Sequence, residues 1–446
     1  DDRYFLSGSF RQDRTSRLAT AHQVGSYPSI SGAWKISSES FFNVPFIDNL
    51  KLKAAWGQIG NIRSVSAYAF DVPLSTGTTT PMGKNGVLLR HFAVSQKSNP
   101  DLVWEGTETF DVGLDLSMFR KFTLNIEYYQ KKTKGLLYEN SVDPHSGYAQ
   151  GPISNIGDVM NRGMEFSAGY NNQFGDWKLN LNANLAFNKN ELLNLDGYNN
   201  RFIQHPDNVR SVLLPYRSEA GQSLYSYYLV RHAGIFNSKE EIDAYTHEGK
   251  LIQPNARPGD LKFIDQDGDG NIDDDDRVYM GSAIPKFNYG FSANTSYKNF
   301  DLSILTYGVY GTKIFNGYKY TAYNAGMQGY NLDSRVLNAW TPSNTDTDIP
   351  VLSTRDPNSN FGTASDWYLE SGDYFRVKNI TLGYALPTSA LQKLSDQLKA
   401  RIYFSAENPF TFTSYSGIDP EVGRVGLDVA NYPLPRTFTA GININF

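Results

Sequence analysis

The chain has 446 residues, a net charge of −5 and no cysteine, and 14% of its residues are aromatic whereas 40% are hydrophobic. The absence of cysteine excludes disulfides, thiolate metal sites and a cysteine nucleophile, and the small negative charge without a basic patch argues against a nucleic-acid partner. No run of about 18 apolar residues occurs, which excludes transmembrane helices but is compatible with a membrane β-barrel, whose strands face lipid only at every second residue.

Alternating apolar and polar residues predict β-strands from the amino terminus onward. The first three are expected at residues 4–11, 29–37 and 49–59. A hairpin then turns at Arg120 and Lys121, and one face of it carries charged side chains. Further hairpins are expected at residues 164–187, 287–310 and 374–408, the last with a short helix at residues 389–398 in its connection.

The carboxy-terminal strand shows the alternation most clearly. Phe438, Ile442 and Phe446 share one face, and Thr439 and Asn443 share the other. A strand of about ten residues with this pattern is typical of a transmembrane barrel, although the edge strand of a soluble sandwich is an alternative.

The lengths of the connections decide between these alternatives. About twelve strands are expected, and short turns alternate with long connections, as in outer-membrane barrels. The sequence therefore predicts an all-β protein, a transmembrane antiparallel β-barrel. We expect its long outer loops at residues 60–106, 191–286, 311–373 and 409–435.

An acidic segment at residues 265–276 has the spacing of an EF-hand calcium loop, with glycine at the sharp turn. The expected ligands are Asp265, Asp267, Asp269, Asn271, Asp273 and Asp276. Position 12 is aspartate where the usual loop has glutamate, so its bidentate ligand is shorter. We predict a structural Ca²⁺ site in an outer loop; a solvated, glycine-rich acidic turn is the alternative.

No catalytic motif accompanies this segment. The six histidines form no HExxH or other i,i+4 pair, and no GxSxG or Walker element occurs in the right context. Ser238 to Glu241 form a capping box that predicts a short helix ending near Tyr245. We therefore predict that the protein is not an enzyme.

Several segments together resemble SusC/RagA-type TonB-dependent outer-membrane transporters. They are SNPDLVWE at 98–105, YYQKKTK at 128–134, NRGME at 161–165, the acidic loop at 265–276, AWTP at 339–342, YFRVKNITLGY at 374–384 and YPLPR at 432–436. The resemblance spans the chain and implies that residues 1–446 are the later strands of a plugged barrel of roughly 22 strands. The plug domain and the earlier barrel strands are expected outside this chain.

The resemblance also implies a function and a location. It implies import of oligosaccharide or oligopeptide substrates across the outer membrane of a Gram-negative bacterium, driven by TonB through the plug. A SusD-type surface lipoprotein is the implied partner, and the lipid membrane surrounds the barrel. A calcium-dependent surface β-adhesin or glycan-binding protein stays open as the alternative, and the sequence does not choose between glycan and peptide.

Overall fold

Twelve long strands dominate the described part of the chain, as the sequence predicts. The computed structural model describes residues 2–71, 74–94, 96–148, 150–198, 201–327, 329–387 and 398–446. The long strands are β1 (Tyr4–Arg14), β2 (Val24–Lys35), β3 (Ile47–Asn61), β4 (Glu105–Met118), β5 (Phe122–Lys134), β6 (Asp158–Phe174), β7 (Trp177–Asn194), β8 (Phe287–Tyr297), β9 (Phe300–Tyr310), β10 (Tyr374–Ala385), β11 (Lys399–Thr413) and β12 (Thr437–Asn445). Within the described residues no helix is both long enough and apolar enough to cross a membrane.

The chain divides into two compact units. The first comprises residues 1–173, 179–203 and 219–223, and the second comprises residues 174–178, 204–218 and 224–446. In the first unit β1 to β7 pair in chain order, and in the second β8 to β12 do the same. Because consecutive strands pair antiparallel, a short turn is sufficient to connect two neighbouring strands.

In the first unit the register of the strands separates apolar from polar side chains. One row across the strands places Leu52 beside Leu114, Leu114 beside Ile126, and Ile126 beside Phe166. The adjacent row places Lys53 beside Gly113, and Gly113 beside Glu127. Since neighbouring residues of a strand point to opposite faces, this sheet has one apolar face and one polar face.

The second unit repeats this separation. Leu302, Leu382, Phe404 and Ala440 form an apolar row across β9 to β12. Ser303, Thr381, Ser405 and Thr439 form the neighbouring polar row. The apolar face is exposed, with Phe404 51% and Ile442 61% accessible. Such a face is costly in water and is stable against lipid.

The connections between long strands alternate in length, as predicted. Short ones cover residues 36–46, 119–121, 175–176, 298–299 and 386–398, and long ones cover residues 62–104, 135–157, 195–286, 311–373 and 414–436. The connection from β1 to β2 covers only residues 15–23, which is shorter than the gap between the strands expected at residues 4–11 and 29–37, because β1 and β2 stay paired as far as Arg14 and Val24. The helix predicted at residues 389–398 lies outside the described residues, apart from Leu398.

The long connections have secondary structure of their own. Short strands occur at Leu74–Met82, Val87–Val94, Leu137–Glu139, Ile153–Asn155, Phe202–Gln204, Tyr216–Glu219, Ser226–Val230, His232–Ile235, Thr246–His247, Lys250–Leu251, Leu261–Phe263, Arg277–Ser282, Lys313–Asn316, Leu369–Ser371 and Leu427–Asp428. The α-helices are α1 (Lys239–Ala244) and α2 (Tyr318–Ala322), and 3-10 turns occur at Thr20–His22, Ile36–Ser38, Pro144–Ser146, Asp274–Asp276, Ser334–Asn338 and Asp366–Tyr368. Ser238 caps α1 by accepting a hydrogen bond from the Glu241 N–H, which confirms the predicted helix start.

The buried side chains of the second unit are concentrated in these connections. Tyr216, Tyr227, Phe315 and Tyr368 are fully buried in one cluster. In the first unit, five side chains from the connections form a smaller cluster: Leu18, Val65, Ala69, Leu102 and Leu137. The apolar faces of the long strands thus stay exposed while the connections bury their own cores.

Candidate functional site

The acidic loop at residues 265–276 brings three of its six predicted ligands together. Carboxylate oxygens of Asp265, Asp267 and Asp269 lie within 4.8 Å of one another. Backbone N–H groups hold them in place: Gly268 and Gly270 donate to the two oxygens of Asp265 at 2.7 and 2.9 Å. Both glycines have positive φ, a conformation that other residues adopt only with strain.

Two of the other predicted ligands, Asp273 and Asp276, lie outside this group of carboxylates. Asp276 is buried, and its two carboxylate oxygens accept the N–H groups of Gln266 and Asp273 at 2.6 and 2.8 Å. Asp273 in turn accepts the N–H of Asp275, and the Asn271 amide approaches Asp269 at 3.4 Å. In this structure Asp276 therefore closes the loop through backbone hydrogen bonds, and its carboxylate lies apart from the cluster.

Electrostatics in the loop favour a bound cation. The N–H of Asp269 lowers the pKa of Asp267, but desolvation and the carboxylates of Asp269, Asp276 and Asp265 outweigh it and leave the pKa above its ordinary value. A hard divalent cation would relieve this repulsion, and three carboxylates supply the oxygen donors that calcium takes. Short strands, Leu261–Phe263 and Arg277–Ser282, flank the loop on either side.

Sequence reasoning missed a cavity of about 570 Å³ in the second unit. Charged and aromatic side chains from distant positions line it, among them His232, Lys319, Arg335, Asp366 and Trp367. Asp366 accepts hydrogen bonds from both the backbone N–H and the ring of His232, which is 134 residues away in the chain. No local motif carries such a constellation, so no sequence signal could have located it.

An ion pair between Lys319 and Glu370 supports one wall of this cavity. The Lys319 Nζ lies 2.9 Å from Glu370 Oε1 and donates to the Trp367 carbonyl at 3.0 Å. Burial alone would raise the pKa of Glu370, but Lys319 and the hydrogen bonds from Ser416 and Asn316 hold it below its ordinary value. The carboxylate is therefore ionised at neutral pH, and it holds Lys319, Asn316 and Ser416 together on this side of the cavity.

Comparison with known proteins identifies the family. A family model described as "TonB dependent receptor-like, beta-barrel" matches residues 1–246. TonB-dependent receptor P3 of Formosa agariphila is 31% identical over 463 residues, and SusC of Bacteroides thetaiotaomicron is 26% identical over 456 residues; each alignment covers 100% of this chain. The solved structure of the RagAB peptide transporter is 26% identical with a TM-score of 0.81, and it covers 100% of this chain.

The chain spans less than half of these proteins: 44% of P3, 42% of SusC and 46% of the RagAB chain. The likeness nevertheless runs through every long strand and confirms the predicted resemblance and fold class. It removes the calcium-dependent surface β-adhesin as an alternative for the fold. The chain belongs to the β-barrel family of TonB-dependent receptors, which are outer-membrane proteins of Gram-negative bacteria and not enzymes.

Proposed function

We propose that the complete protein is a TonB-dependent importer that takes glycan or peptide fragments across the outer membrane. The observation that supports this most directly is the likeness over the whole chain to SusC and to the RagAB peptide transporter. The relatives are more than twice as long as this chain, which leaves room for a plug and for earlier strands. In this proposal TonB acts through that plug, and a SusD-type lipoprotein covers the outer opening.

The long connections would form the outer vestibule in this arrangement. Residues 60–106, 191–286, 311–373 and 409–435 are the outer loops of the proposal, and residues 1–446 are all barrel. The alternation of short and long connections supports this assignment, because in outer-membrane barrels the long loops share one rim. The buried clusters inside the connections would give that vestibule a fixed shape.

A growth and uptake experiment tests the proposal. We expect a strain that lacks the gene to deplete oligosaccharides or oligopeptides of defined size from the medium more slowly than the parent strain, and a plasmid copy to restore the rate. Parallel mixtures of the two classes identify the substrate. If neither class is depleted more slowly by a strain shown to lack the protein, the importer proposal is wrong.

The lipoprotein partner has a separate test. The complete protein, tagged and extracted in mild detergent, is expected to retain a second polypeptide with a lipid-modified amino terminus until the sample is boiled. Intact mass and amino-terminal sequencing identify that polypeptide. A complete protein that elutes alone under these conditions, while still folded, would contradict the SusD-type partnership.

We also propose that the loop at residues 265–276 binds Ca²⁺ and that the ion stiffens the connection at residues 195–286. The clustered carboxylates of Asp265, Asp267 and Asp269 support the proposal, and they are the residues that would hold the ion. Asn271, Asp273 and Asp276 remain predicted ligands; the two carboxylate oxygens of Asp276, like those of Asp265, accept backbone N–H groups.

Protease protection measures calcium binding at this loop. We expect Ca²⁺, added to chelator-treated complete protein, to slow cleavage within residues 195–286, because a ligand bound only to the ordered loop stabilises it. Asp267→Asn combined with Asp269→Asn should abolish the protection. Asp275→Asn, an exposed neighbour that is not a predicted ligand, should preserve it. Cleavage that is equally fast with and without Ca²⁺ would overturn the proposal.

A further inference from the structure

The cavity of about 570 Å³ in the second unit is lined by charged side chains. Its cations are hydrogen-bonded to protein acceptors, whereas some of its carboxylate oxygens accept no hydrogen bond from the described residues. Its lining includes two permanent cations, Lys319 and Arg335, and three carboxylates, Asp348, Asp366 and Glu370. The volume is large enough for a small organic molecule of moderate length. The hydrogen bonds that these five groups already make determine which ligand chemistry is left.

The cations of the cavity are committed to protein acceptors. Lys319 pairs with Glu370 and donates to the Trp367 carbonyl. Arg335 donates from Nε and Nη2 to Asp333 at 3.0 and 2.7 Å, and from Nη1 to the Ser416 carbonyl at 2.6 Å. Both cations also lie over aromatic rings, Lys319 over Trp367 and Arg335 over Tyr323. An anionic ligand would have to compete with these partners.

Two of the carboxylates, by contrast, keep free acceptor oxygens. Asp348 is exposed, and its carboxylate makes no hydrogen bond or ion pair within the described ranges of the chain. Asp366 uses Oδ1 for both bonds to His232, and Oδ2 accepts no hydrogen bond from the same described residues. Glu370 accepts from Lys319, Asn316 and Ser416 and is fully engaged.

The backbone at Asp348 and the carboxylate of Asp366 are also held in place. The indole Nε1 of Trp367 donates to the Asp348 carbonyl at 2.7 Å, and the next residue, Ile349, is buried. His232 fixes Asp366 through its backbone N–H at 2.9 Å. Acceptors on a fixed backbone lose little conformational entropy on binding, which favours a ligand that donates hydrogen bonds.

We infer that this cavity binds a small organic cation, whose primary ammonium group donates to Asp348 and Asp366. The ammonium supplies the donors that the cavity lacks and balances its excess carboxylate. Ile349 and Leu369 offer apolar wall for the hydrocarbon part of the ligand. The inference goes beyond the proposed import and does not depend on it, because binding is measured on the purified protein.

Calorimetry on the complete protein in detergent tests the inference with 1,5-diaminopentane as the probe and 1,5-pentanediol as its uncharged counterpart. We expect the diamine to bind at least tenfold more tightly than the diol. Asp348→Asn should weaken diamine binding about tenfold, which is the size of one hydrogen bond to a charged group. Added salt should weaken diamine binding in the unsubstituted protein.

Asp346→Asn is the matched control, because Asp346 is an exposed aspartate two residues earlier that does not line the cavity. This variant should bind the diamine as the unsubstituted protein does. Migration of unboiled samples on a gel checks that each variant is folded. If diamine and diol bind equally, if neither binds, or if Asp348→Asn and Asp346→Asn have the same effect, the inference is wrong.

Discussion

Two ion pairs in the long strands each cross a strand at a glycine. In the first unit the Nζ of Lys53 on β3 reaches Oε2 of Glu127 on β5 at 2.8 Å, across Gly113 on β4. A Cβ at Gly113 would lie 2.3 Å from Cε of Lys53. In the second unit Arg401 reaches Asp301 across Gly383 in the same way. These two glycines are therefore required by the side chain that passes over them.

Replacing Gly113 tests this requirement. We expect Gly113→Val to lower the free energy of unfolding by about 1–2 kcal/mol, because the new side chain displaces Lys53 and separates it from Glu127. Gly106→Val on the same strand is the control, since a Cβ there meets no atom within 4 Å. Urea unfolding of detergent-refolded protein, followed by tryptophan fluorescence, gives both values. Equal values for the two variants would contradict the crossing argument.

Arg376 on β10 fastens the connection at residues 414–436. This nearly buried guanidinium lies 2.6 Å from Asp419 and 2.8 Å from Glu421, and Lys378 also reaches Glu421 at 2.8 Å. Burial alone would raise the pKa of Asp419, but the N–H groups of Glu421 and Leu434 and the Arg376 guanidinium hold it below its ordinary value.

The lowered pKa of Asp419 predicts how this attachment depends on pH. A carboxylate with a lowered pKa in the folded state stabilises the protein above its ordinary pKa of about 4 and loses that contribution as the pH falls further. We expect protease cleavage within residues 414–436 to stay slow from pH 8 to pH 5 and to accelerate below about pH 4. In the Asp419→Asn variant, the protease should cut residues 414–436 rapidly already at neutral pH. In the Asp346→Asn variant, which changes an exposed aspartate, cleavage should stay slow at neutral pH.

Among the elements, the long strands and the alternating lengths of their connections were predictable, whereas the packing inside the connections was not. A period of two residues is a local pattern, so strands such as β4, β5 and β12 follow from the sequence alone. The cavity joins His232 to Asp366 and Lys319 to Glu370, and no local pattern encodes pairs so far apart. The acidic motif placed Asp276 among the predicted ligands, but its spacing did not show that the Asp276 oxygens accept the N–H groups of Gln266 and Asp273.

The carboxy-terminal strand β12 carries a prediction of its own. Ile442 lies on the exposed apolar face beside Ile402, and Asn443 lies on the opposite face. We expect Ile442→Arg to destabilise the protein folded into lipid vesicles by about 2–4 kcal/mol, because a cation on the lipid face is costly near the bilayer centre. Asn443→Arg should change stability by less than half as much. Similar costs for both would mean that the two faces are not distinguished by lipid.

At the scale of the whole molecule, burial is inverted relative to a soluble β-sandwich. The long strands expose apolar rows such as Leu382 and Phe404, whereas the connections bury Tyr227, Phe315 and Tyr368 completely. In a soluble sandwich the apolar faces of the sheets pack against each other instead. The arrangement agrees with the outer-membrane location of the family.

The exposed apolar faces determine how the complete protein fractionates. We expect it to remain in the membrane pellet after an alkaline carbonate wash and to enter solution only with detergent. A periplasmic protein from the same cells serves as the released control. Quantitative release of the folded protein by carbonate alone would contradict a lipid-facing sheet.

The hydroxyl of Tyr227 joins three connections at one point. Its oxygen lies 2.9 and 3.0 Å from the carbonyl oxygens of Lys313 and Gly426, which share its single proton, and Gly426 lies 199 residues further along the chain. Side chains of all three segments also pack in one hydrophobic cluster. We therefore expect a chimera that takes all three of residues 195–286, 311–373 and 414–436 from one relative to be more stable than a chimera that takes only one of them, because the single exchange replaces one side of a shared core.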